Sequence, residues 1–85
     1  SIMGKRMRKS EIPPIVKELG IRILEIIRDK GLKPREVAHN ADLDIENLRK
    51  YIKGSQEMKI STMVKIADSL NVTVIELFTF PESKY

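Results

Sequence analysis

Between Asp44 and Gly54 the chain gathers Glu46, Asn47, Arg49, Lys50 and Lys53, with Leu48 and Ile52 set among them at helical spacing. These side chains suit recognition rather than bond making. Cations neutralise phosphates, and guanidinium and amide groups match the donor and acceptor pattern of base edges. The plainer reading of such a run is a solvated basic helix face. Groups that could make or break bonds are sparse. His39 is the one histidine and there is no cysteine, so a common structural zinc site lacks its ligands. The sequence holds no glycine-rich phosphate loop and no Ser/His/Asp set that a single small pocket could gather. Asp42 and Asp44 form a carboxylate pair, but in what reads as an exposed turn. The expectation is a binding protein and not an enzyme, with no metal, cofactor or small-molecule ligand.

The elements around that segment must hold it outward. Upstream, Pro34 to about Ala41 reads as a short helix carrying Val37 and Ala38. Asp44 reads as the N-cap of the next helix, its carboxylate accepting from the amides of Glu46 or Asn47, and Gly54 closes it. Val37, Ala38, Leu43, Leu48 and Ile52 fall where two short helices meeting at a steep angle need small or apolar residues. The Ala41–Asp44 connection is short, and this is helix-turn-helix spacing, in which the second helix commonly enters a DNA groove.

Three further helices complete an all-α reading. Val16, Leu19, Ile23, Ile26 and Ile27 form one stripe at spacings of three and four. Pro14 is a suitable first helical residue, although Gly20 interrupts the stripe and suggests a start near Ile21. Lys30-Gly31 ends that helix. After Lys59, a helix carrying Met63, Ile66, Ala67 and Leu70 on one face stops at Asn71. Thr73-Val74-Ile75-Glu76 has capping-box spacing and opens a last short helix ending near Phe78. Tyr51 and Phe78 read as core aromatics, and Phe80-Pro81 as an exposed end favouring self-association.

In this order the segments of Ile21–Phe78, about two-thirds of the chain, resemble the lambda-repressor-like helix-turn-helix family of phage repressor and Cro type. The resemblance rests on Lys30-Gly31-Leu32, Glu36-Val37-Ala38, the run Asn47–Gly54, and Ile60 through Phe78. It implies a five-helix DNA-binding domain acting as a sequence-specific transcriptional regulator. The helix at about 45–53 would enter the major groove of double-stranded DNA. By that resemblance the base-contact positions are Ile45, Glu46, Asn47, Arg49 and Lys50, and the phosphate contacts Lys33, Arg35, Lys53, Ser55, Gln56 and Lys59. Arg49 or Lys50 suits guanine O6 and N7, Asn47 suits adenine, Glu46 a cytosine amine, and Ile45 a thymine methyl. A two-fold homodimer, formed through the last helix and Thr79–Tyr85, would read two half-sites.

The chain departs from the family at four places. Pro34 stands where a polar residue, often glutamine, begins the second helix, and Asp42 replaces the usual turn glycine. Asp44 and Glu46 set carboxylates where phosphates approach. Those acids support an alternative, a protein-interaction module of the same fold such as an antitoxin-type partner protein.

The 85 residues suit one domain, divided as a basic arm at 1–12, the helical domain at 13–80 and a tail at 81–85. A chain of this length buries only about 60–65% of its unfolded surface, so the core is thin. The net charge of +4 lies in Lys5, Arg6, Arg8 and Lys9; with these set aside, the 16 Lys and Arg fall to 12, equal to the 12 Asp and Glu. The arm reads either as a DNA-wrapping segment or as a solubilising tail, membrane-surface patch or localisation patch. No apolar run nears the roughly 20 residues that span a bilayer, and the expected setting is the cytoplasm.

Overall fold

The computed structural model describes residues 11–80, which form five helices and no strand: α1 (Pro14–Asp29), α2 (Pro34–Asn40), α3 (Ile45–Lys53), α4 (Ile60–Leu70) and α5 (Val74–Leu77). The arm residues Lys5, Arg6, Arg8 and Lys9 and the tail 81–85 lie outside the described residues. α1 packs against α3 and α5, α2 against α3 and α4, and α4 against α5. The centre of this arrangement is apolar. Ile23, Ile27, Val37, Leu48, Ile66, Leu70 and Leu77, drawn from all five helices, are fully buried. Burying such side chains contributes roughly 1.5–3 kcal/mol each before chain entropy opposes it.

α1 is one helix from Pro14 onward, and the expectation of a start near Ile21 is corrected. The reason is tertiary. Gly20 is buried where α1 crosses the end of α3, and a Cβ there would lie 2.5 Å from the Tyr51 carbonyl oxygen and closer still to that of Ile52. Glycine costs the isolated helix about 1 kcal/mol relative to alanine, but here it lets two backbones meet. Gly54 belongs to the same crossing: its missing Cβ would stand 2.7 Å from the Lys17 Cα. Gly54 also takes the left-handed conformation, φ 72°, that closes α3, with the Ser55 amide donating to the Lys50 carbonyl at 3.0 Å.

The other helix ends follow local chemistry. Asn71 is left-handed at the end of α4, φ 58°, and the Val72 amide reaches the Ala67 carbonyl at 3.0 Å. Thr73 and Glu76 form the expected capping box, each side chain accepting from the other's backbone amide at 3.2 Å. Asp44 does precede α3 in extended conformation, but its carboxylate makes no capping hydrogen bond. Its backbone carbonyl instead accepts from the Leu48 amide at 3.1 Å, so the position is that of a cap while the side-chain role is corrected. Phe78 is also corrected. It stands 36% exposed beside α5 with its ring edge-on to Phe80, centroids 6.3 Å apart, whereas Tyr51 is buried as expected. Helix α5 is only four residues long, and Leu77 takes the inward direction that Phe78 would otherwise occupy.

Candidate nucleic-acid interface

The turn that joins α2 to α3 sets the attitude of the exposed face. α2 ends as the Asp42 amide donates to the His39 carbonyl at 3.1 Å and the Leu43 amide to the Ala38 carbonyl at 2.8 Å. Asp42 itself adopts φ 58°, the left-handed conformation that the family's glycine takes freely and that Asp tolerates better than most residues. Leu43 then tucks partly against the core and α3 begins two residues later. Leu48 and Tyr51 are buried beneath α3, with Ile45 and Ile52 packed partly against the core beside them. What remains outward is Glu46, Asn47, Arg49, Lys50 and Lys53, all exposed.

Of the residues expected to touch bases, Ile45 therefore stands apart, because much of its side chain serves the core. Glu46, Arg49 and Lys50 come together with Lys53 and Ser55 around one open depression of about 570 Å³. Asn47 is exposed on the same helix but outside that depression. Lys33 and Arg35 are exposed at the start of α2, and Gln56 and Lys59 are exposed in the segment between α3 and α4. Lys33 uses its backbone, its amide donating to Glu36 Oε1 at 3.3 Å. Ser55 caps α3 with its hydroxyl as well as its amide, Oγ donating to the Lys50 carbonyl at 3.2 Å.

The face is mixed in charge. Glu36, Asp42, Asp44 and Glu46 are exposed on the two-helix unit that presents Lys33, Arg35, Arg49, Lys50 and Lys53. One of those acids is paired: Arg49 Nη1 lies 3.2 Å from Glu46 Oε1 and donates to it. The pair had a legible signal in its i, i+3 spacing, but sequence reasoning weighed the two residues separately. His39 is exposed in the last turn of α2. Among the described residues no group of three His, Cys, Asp or Glu is placed to hold a metal ion, and no helix is long and apolar enough to cross a membrane.

Among curated proteins none matches this chain. Solved structures of similar shape are found. The restriction-modification controller protein C.AhdI from Aeromonas hydrophila matches with a TM-score of 0.75 at 24% identity, over 78% of this chain and 100% of that one. The clp gene regulator ClgR from C. glutamicum matches with 0.73 at 22% identity, over 76% and 84% of the two chains. The hypothetical transcription factor NHTF from Neisseria matches with 0.74 at 21% identity, over 91% and 92%. At such identities the likeness establishes the fold, which is the all-α, five-helix arrangement expected from the sequence. The family model of the Cro/C1-type HTH DNA-binding domain matches residues 22–83, most of the chain and all of the two-helix unit. This chain belongs to the Cro/C1-type helix-turn-helix DNA-binding domain family.

Proposed function

We propose that the protein is a sequence-specific transcriptional regulator that lays α3 in the major groove of double-stranded DNA. The observation that carries this reading is the outward row of Glu46, Asn47, Arg49, Lys50 and Lys53 on a helix whose other side is locked into the core. In this reading Arg49, Lys50, Asn47 and Glu46 meet base edges, and Ile45 contributes only the outer part of its side chain. Lys33, Arg35, Lys53, Gln56 and Lys59 approach phosphates. Ser55, whose hydroxyl donates to the Lys50 carbonyl, must exchange that bond to donate to a phosphate. The basic arm of residues 1–12 adds a sequence-tolerant backbone contact, and the regulator works in the cytoplasm. The similar structures named as a controller protein and a gene regulator support the reading at the level of the fold.

A homodimer fits the same reading. Ile75 on α5 is 78% exposed and Ile60 on α4 is 77% exposed, with Val64 one turn beyond it also outward. Apolar side chains left in water on so small a domain favour a second copy, and a two-fold pair reads half-sites about one DNA turn apart, roughly 34–36 Å.

The test is fluorescence anisotropy with a random-sequence duplex across a salt series, using the full chain and one lacking residues 1–10. Each phosphate neutralised adds about 0.9 to the steepness of the salt dependence. Replacing Arg49 and Lys50 with Ala is expected to weaken binding and flatten that dependence by about one such increment or less, since Arg49 is already paired with Glu46. An unchanged salt slope contradicts the role given to α3. Binding that is absent in the full chain, or lost with the arm alone, moves the reading to a protein-interaction module. The exposed carboxylates Asp42, Asp44 and Glu46 favour that second reading.

A further inference from the structure

The Glu46–Arg49 ion pair sits in the depression that the DNA-binding reading makes the contact surface. Glu46 had two partners within helical reach, Arg49 at i+3 and Lys50 at i+4, and the structure couples it to Arg49. The coupling uses one guanidinium nitrogen, Nη1. A guanidinium carries five N–H donors in a rigid fork, so donors remain for a second acceptor while Glu46 is held. A guanine edge asks for two donors in one plane, which a guanidinium fixed from one side can supply. A phosphate lies off the groove floor, and its own charge is repelled by Glu46. An Arg49 held beside the Glu46 carboxylate therefore meets a phosphate less favourably than a released one.

We propose that Glu46 is a positioning residue for specificity: it holds Arg49 toward the base edges and restrains it from sequence-independent contact with phosphate. The inference rests on the DNA-binding reading and goes further, because it assigns the carboxylate a use. Magnitudes fit such a division. An exposed pair of this kind shifts an equilibrium by roughly twofold to fivefold. That is enough to bias a single phosphate contact. It is small against a bidentate guanine contact, which discriminates by roughly fivefold to more than a hundredfold. The restraint therefore acts on non-specific binding and yields at a matched site.

The experiment compares the full chain with E46Q, R49A and the double variant E46Q/R49A, each titrated into a labelled random-sequence duplex from low to moderate salt. Glu46 and Arg49 are both exposed, and circular dichroism checks that each variant remains helical. E46Q is expected to bind this duplex roughly twofold to fivefold more tightly. Its salt dependence should steepen by about 0.9, one additional phosphate contact. In the R49A background the same substitution should leave the slope unaltered, because the released group is missing. An unaltered slope in E46Q overturns the proposal. So does an equal steepening with and without Arg49, which would make Glu46 a diffuse charge only. Binding by the parent chain that is absent or insensitive to salt overturns the DNA-binding reading, and this inference falls with it.

Discussion

Asp42 shows how one backbone dihedral carries meaning. Its φ of 58° places a non-glycine residue in the region that L side chains reach at a cost of about 1–2 kcal/mol, a cost Asp reduces but does not remove. Nothing about the exposed Asp42 side chain offsets this through a capping bond. Replacing it with Gly is therefore expected to stabilise the domain by about 0.5 kcal/mol, since glycine's greater unfolded-state freedom offsets part of the relief. Urea denaturation with a raised midpoint and an unchanged slope would confirm it. A lowered midpoint would mean that the Asp carboxylate does something in the turn that its geometry conceals. At this scale the sequence was readable wherever a residue's role is local. The left-handed Asp42, Gly54 and Asn71 and the Thr73–Glu76 box follow from side-chain types at fixed offsets. Asp44 was less readable, because whether a carboxylate bends back to an amide depends on rotamer and solvent rather than on spacing.

The helices were legible for a different reason. A stripe such as Val16, Leu19, Ile23, Ile26 and Ile27 states which side of a helix is buried, and each of those residues is buried. What periodicity does not state is what the stripe meets. Gly20 looked like a weakness in α1 because its function lies in α3, more than thirty positions away. Replacing Gly20 with Ala separates the two influences. Helix propensity alone predicts a gain of about 1 kcal/mol, whereas the collision with the Tyr51 and Ile52 carbonyls predicts a loss of about 2 kcal/mol or more. We expect the loss, read as a lower urea midpoint, because the obstructing atoms are backbone and cannot turn aside. Phe78 fails in the same way: its neighbours in sequence suggested burial, but a helix as short as α5 has one inward position near its end, and Leu77 fills it.

For the whole molecule, the candidate site was legible as a segment but not as an electrostatic surface. Arg49 and Lys50, expected at base edges, and Lys53 and Ser55, expected at phosphates, border a common depression together with Glu46. The coupling of Arg49 to Glu46, and the partial withdrawal of Ile45 into the core, required coordinates. Assembly is a further property of this scale. Replacing Ile75 with Lys should leave the fold intact, since that side chain is 78% exposed, and should shift a dimer toward monomer in sedimentation equilibrium. Affinity for a two-half-site duplex should then fall much more than affinity for random DNA. A variant that sediments as the parent does would place self-association elsewhere.

The bare crossing of α1 over the end of α3 has one more consequence. With no side chain between them at Gly20 and Gly54, there is no cushion through which a change on one helix could be absorbed before it reaches the other. The tilt of the recognition surface is thus inherited from a helix that need never touch a ligand. In a genetic selection for loss of operator binding, lesions at these two glycines should recur beside lesions in the outward row of α3. The two classes would look alike on a plate. They would part on heating: the glycine lesions would lose both recognition and heat resistance, and the outward lesions recognition alone.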